Sequence, residues 1–219
     1  MGEMKKALSI FMGIIFLGAI WGILEATMGQ VLHFIGLHPY TGVIMTSIGT
    51  GILAYNRKLY KARWTGIFIA CIAAAFKAID FVIPGSNVMR PIIAIIMIGV
   101  AFESVVYVLD KFKETVPNQA ITGFATGYLS IATFAFITAY IIRYYYWLDK
   151  GFLGILAYLG TQGWTFAVGS SIAFLAGTYL VMFNNKLLRF DLERWVNSRP
   201  FYVTSGVFTL AAFIFVVVV

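Results

Sequence analysis

Charge is scarce in this sequence. Asp, Glu, Lys and Arg make up only 11% of its 219 residues, against roughly 25% in soluble domains. Hydrophobic residues reach 61% and gather in long apolar runs, which predicts a helical integral membrane protein. The ~10-residue alternating segments of a membrane β-barrel are absent. No stretch is long and polar enough for a soluble domain, so ATP hydrolysis or other soluble chemistry must come from another chain.

Cysteine and histidine are almost missing. Cys71 is the single cysteine and lies within an apolar run. An intrachain disulfide and a cysteine metal cluster are therefore excluded, and Cys71 reads as a small buried apolar residue. The two histidines, His33 and His38, fall five apart across a predicted helix end, which is not a helical ligand pair. A haem between two helices would need histidines on two spans. Metal ligation by His33, His38 and Glu25 is geometrically open, beside the plainer reading of two interfacial histidines. No Gly-Lys-Ser/Thr phosphate loop and no His-Glu-x-x-His motif occurs, and no nucleophile sits beside an evident base. No catalytic residue, enzyme activity or cofactor is predicted. The last apolar run has no lysine for a retinal Schiff base.

What is present is a series of apolar runs, predicting an all-α, polytopic transmembrane bundle of six to seven spans in a single domain, 1–219. The spans fall at about 7–32, 42–55, 64–83, 91–109, 120–142, 161–183 and 201–219. The first follows Lys5 and Lys6 and is too long for a signal-peptide core, so it reads as a retained helix. The second is short for a span and is expected to stand upright or to extend into the loop before it. Pro84-Gly85-Ser86-Asn87 predicts a chain reversal. Tyr144 to Trp147 resemble an interfacial aromatic belt, and 152–159 a short helix on or dipping into the membrane. Segment 184–200 mixes apolar and basic residues like an amphipathic surface helix, with a plain basic loop as the alternative. The uncharged last run reads as a packing or lipid-facing element. If it only lies at the interface, six spans remain.

The net charge of +7 sets topology rather than a nucleic-acid surface. Lys5, Lys6, Arg57, Lys58, Lys61, Arg63, Lys111, Lys113, Lys186, Arg189, Arg194 and Arg199 fall on one side. Arg90, Arg143 and Lys150 fall on the other. The basic side is predicted to be cytoplasmic, with the N-terminus inside.

Ionisable residues inside apolar runs are costly and frequently functional. At ~1.5 Å per residue, Glu25 lies about 25 Å from the inner end of its span, Lys77 about 20 Å and Asp80 about 24 Å. These residues gather in the outer half with His33, His38, Asn87, Arg90 and Gln162, predicting a substrate pocket of Glu25, Lys77, Asp80, Asn87 and Arg90 that opens outward. Lys77 and Asp80, three apart, could instead pair locally, and Arg90 could be a simple interfacial anchor. Glu103, about 18 Å inward from Arg90, is expected near the midplane or slightly below it, as a separate proton-carrying or structural carboxylate.

Gly18, Gly22 and Ala26 form a helix-packing stripe of small residues. That stripe, the 42–51 helix after His38-Pro39-Tyr40, and Ala73-Ala74-Ala75 carry a resemblance to the substrate-binding S components of energy-coupling factor (ECF) transporters, over about 7–109. A seventh apolar segment departs from that family's usual six helices. The resemblance implies a subunit in a prokaryotic plasma membrane that captures a vitamin or metal-related small molecule from outside. It also implies separate ATPases and a coupling subunit packed on the small stripe of the first helix. The competing expectation is a non-enzymatic membrane subunit of a redox or ion-translocating complex, with Lys77, Asp80 and Glu103 as a proton path or structural ion pairs. An intramembrane enzyme ranks last.

Overall fold

A computed structural model describes residues 2–37, 40–79, 88–187 and 195–218. Every regular element among them is helical: α1 (Gly2–Phe34), α2 (Thr41–Tyr60), α3 (Thr65–Ala78), α4 (Met89–Leu109), α5 (Val116–Phe136), α6 (Tyr145–Thr161), α7 (Gly163–Leu187) and α8 (Arg199–Val218). One π turn, Ile137–Ile141, prolongs α5. No strand occurs among the described residues. The chain is thus a helical bundle of membrane type. Segments of α1, α4, α5 with its π turn, α7 and α8 are long and apolar enough to cross a membrane. α2 is not, and α3 has only 14 described residues.

The helix ends correct several sequence expectations. α2 extends forward through the basic residues to Tyr60 rather than back into the preceding loop. Arg57 and Lys58 suit its last turn, where the helix dipole is negative. Arg57 also donates to the carbonyl of Ala62 at 3.0 Å. α5 starts at Val116, with Pro117 in its first turn, where the missing N–H costs nothing. The aromatic residues from Tyr145 onward lie inside α6, which breaks at Gly151 (φ +60°), a conformation glycine adopts freely. α7 continues through 184–187, so that part of the expected surface segment is helix. Residues 188–194 and the 84–87 turn lie outside the described residues.

α2 is the hub, touching α1, α3, α4, α5 and α7. A helix surrounded by protein needs no lipid-grade surface, which explains how α2 carries Thr46, Thr50 and Asn56 buried. Thr46 and Thr50 lie on its face toward α7, where Thr50 Oγ1 meets Ser170 Oγ at 3.3 Å. Glycine brings α2 and α7 into backbone contact: a Cβ on Gly177 would stand 2.1 Å from the Gly51 carbonyl oxygen. The small stripe on α1 works the same way within the chain. A Cβ on Gly18 would meet Ile72, one on Gly22 would meet Phe76, and Ala26 is buried in a cluster with Phe76, Ala212 and Val216. α3 and α8 therefore cover the stripe. Cys71 faces outward from α3 and is exposed, contrary to its expected burial, because α1 and α4 occupy the other faces.

One end of the bundle is basic. Arg57 pairs with Asp110 at 2.7 Å and Lys58 with Glu114 at 2.6 Å, tying the end of α2 to the end of α4 and the start of α5. Ser9 Oγ donates to the Val196 carbonyl at 2.9 Å, which brings the start of α1 and the approach to α8 to the same end. Besides the cluster around Ala26 and Phe76, two larger apolar cores fill the bundle. One surrounds Trp21, Leu53, Ile95, Ile98 and Phe102; the other surrounds Ile131, Trp147, Ile155 and Phe166.

Candidate ligand-binding site

Between these two cores, toward the end opposite the basic one, lies a cavity of about 300 Å³. α1 contributes Glu25; α2 contributes Thr41, Gly42, Met45 and Thr46; α4 contributes Arg90, Pro91, Ala94 and Ile98. Ser130, Ile131 and Phe134 of α5, Trp147 and Tyr158 of α6, and Phe166 of α7 complete it. The mixture of apolar walls and a few polar groups is typical of small-molecule sites.

Glu25 is buried at 6% exposure. Trp21, one turn earlier, donates its indole N–H to Glu25 Oε1 at 3.1 Å. The Trp21 ring is itself fixed, because a Cβ on Gly49 would lie 2.3 Å from its Cζ2 atom. Bare backbone on α2 thus seats the ring that holds the carboxyl group. Lys77 is close enough to act on Glu25 through its charge, but it does not line the cavity.

Arg90 sits on the first turn of α4, half-buried. Its guanidinium lies 3.9 Å from the centre of the Tyr144 ring and donates to the Tyr144 hydroxyl. Stacking on an aromatic face suits the flat, weakly hydrated guanidinium. The Nε atom of Arg90 is buried with no hydrogen-bond partner among the described residues. Burial pushes the Tyr158 phenol above its ordinary pKa, and Tyr146 adds to this, so Tyr158 remains a neutral donor. Its ring meets Trp147 edge-on at 4.8 Å, and these two residues bring α6 onto the cavity.

Of the residues singled out from sequence, Glu25 and Arg90 share this cavity, and Lys77 acts on Glu25 through its charge without lining it. Gln162 is exposed after the end of α6 and does not line it. His38, Asp80 and Asn87, and the side chain of His33, lie outside the described residues. Among the described residues, no group of three His, Cys, Asp or Glu side chains comes together to hold a metal.

Glu103 stands apart from this cavity, which it does not line. It is buried at 5% exposure against the start of α3. The backbone N–H of Gly66 donates to its Oε1 at 2.7 Å and that of Trp64 to its Oε2 at 3.0 Å. First-turn amides lack partners within their own helix, and a carboxylate suits the positive end of the dipole. Trp64 has φ +66°, an uncommon conformation for a bulky residue, and the Glu103 contact holds it there. Lys77 lies on the last turn of α3, about 17 Å along the axis from Gly66. Glu103 and Lys77 thus stand at opposite ends of α3.

A second hollow of about 130 Å³ opens at the basic end beside Arg57, Lys58, Asp110 and Glu114. In it Arg57 already pairs with Asp110 and Lys58 with Glu114.

Sequence reasoning missed Trp21, Tyr144, Trp147, Tyr158 and Phe166. Only Trp21 left a specific signal, its four-residue spacing from Glu25 on one helix. No protein-family model matches this chain, and neither a curated protein nor a solved structure is similar to it.

Proposed function

We propose that this chain is a membrane-embedded solute-binding subunit, of the kind that serves as the S component of an ECF-type importer. In this reading all seven helices other than α6 cross a prokaryotic plasma membrane. The basic end and N-terminus face the cytoplasm by the positive-inside rule. The cavity then opens to the outside, and α6 lies across it at that surface. The observation that carries the reading is the convergence of Glu25 and Arg90, from different helices, on one apolar-walled cavity at the end away from the basic loops. Ionisable groups held at that depth mark ligand sites more often than packing. Energy would come from separate ATPase subunits through a coupling subunit. Because α3 and α8 cover the small stripe on α1, that subunit would dock on another face.

Native mass spectrometry of the mildly solubilised protein tests this directly. A bound small molecule together with ATPase companions is the expected result. Redox or pump subunits without a small ligand would replace this reading with that of a subunit in a larger complex.

A further inference from the structure

Two opposite charges line the cavity, yet they are not paired with each other. At the basic end Arg57, Lys58 and Arg63 pair with Asp110 and Glu114. Glu25 is held by the Trp21 indole, with the Lys77 charge acting on it. Arg90 is held by the Tyr144 ring and hydroxyl, and its Nε hydrogen has no acceptor among the described residues. Leaving a buried donor unsatisfied costs more than a made hydrogen bond returns, so such a group signals a missing acceptor.

The rest of the lining is mainly apolar, with the hydroxyls of Thr46, Ser130 and Tyr158 among it. Phe134, Trp147 and Phe166 offer ring surface, and Ile98 and Ile131 offer aliphatic surface. At ~30 Å³ per water, the cavity holds about ten water volumes. That suits a ligand of on the order of ten non-hydrogen atoms.

Resting on the reading of a solute-binding subunit, we infer that the cavity takes a small amphoteric molecule with a flat apolar body. Its acidic group accepts from Arg90, and an ammonium or N–H group at its other end donates to Glu25. Planar acid recognition is what a guanidinium does best. The aromatic walls exclude water and strengthen both contacts.

Four rigid probes separate these terms: 4-(aminomethyl)benzoate, 4-methylbenzoate, 4-methylbenzylamine and p-xylene. Their binding to the purified full chain in lipid nanodiscs can be followed by calorimetry or saturation-transfer NMR. The amphoteric probe is expected to bind tightest, with each single-group probe about tenfold to a hundredfold weaker. Arg90→Gln should erase the advantage of the amphoteric probe over 4-methylbenzylamine. Glu25→Gln should erase its advantage over 4-methylbenzoate. Arg90→Lys, which keeps the charge, should retain part of the acid preference and controls for folding. Ala94→Phe should fill the cavity and abolish binding of all four.

Equal binding of p-xylene and the amphoteric probe overturns the inference. So does binding that survives Ala94→Phe, or no binding by any probe. Each of these results leaves the proposed function standing if native mass spectrometry still shows a bound small molecule with ATPase companions. Absence of both the bound mass and the companions overturns the proposed function itself.

Discussion

Glu103 of α4 caps α3 through Gly66: the glycine N–H donates to the carboxylate at 2.7 Å, and no residue of α3 supplies that acceptor. Replacing Glu103 with Ala leaves two amides at the start of α3 without it. The expected loss is about 3 kcal/mol of stability, read as an earlier thermal unfolding transition in detergent. Glu103→Gln keeps one acceptor oxygen and should lose roughly half as much. An unchanged transition in Glu103→Ala would show that water or lipid headgroups replace the carboxylate.

Trp21→Phe tests the seat of Glu25. The N–H to Glu25 disappears, and so does the outer part of the indole that lies against Gly49. Stability should fall by about 2–3 kcal/mol, from the lost hydrogen bond and the cavity left at a fully buried position. Ligand affinity should fall as well, because the carboxyl group loses its fixed direction. Loss of stability with affinity intact would mean that Trp21 only packs.

Gly177→Val and Gly206→Val separate helix contact from lipid contact. A side chain at 177 strikes backbone on α2, whereas a Cβ at 206 meets nothing within 4 Å. Gly177→Val should sharply reduce the yield of monodisperse protein. Gly206→Val should leave the yield unchanged, and size-exclusion profiles compare the two. Equal tolerance would refute the close approach of α2 and α7.

Lys58→Ala removes an ion pair whose Glu114 partner is 66% exposed. Such surface pairs contribute about 0–1 kcal/mol. The variant should unfold within a degree or two of the parent, and raising salt should change neither protein much. A large shift would imply that the pair is shielded, for instance by a partner subunit.

The apolar runs announced the helices because lipid-grade sequence is long and continuous, but their ends were set by contacts that hydropathy ignores. α2 passes through Arg57 and Lys58 because its last turn welcomes cations and Asp110 meets them. Depth counted from Arg90 did not say what Glu103 would meet. Glu103 stands six residues before Leu109, where α4 ends, and so reaches the first residues of α3. Glu25 and Arg90 were legible because charge inside apolar sequence has few explanations. Trp147, Tyr158 and Phe166 were not, since lipid and cavity walls use the same aromatic residues. Only the tertiary fold shows which side each ring faces.

The cross-helix cap also bears on how the protein is made. Synthesis runs from the N-terminus, so the amides of Trp64 and Gly66 emerge well before residue 103. During that interval α3 has an open end, and Glu103, once it follows, would enter the bilayer as an unneutralised charge. Each solves the other's problem only when both are in place. In the proposed topology, α3 and α4 should therefore partition from the translocon as a hairpin, and a ribosome stalled between them should leave α3 extractable from the membrane.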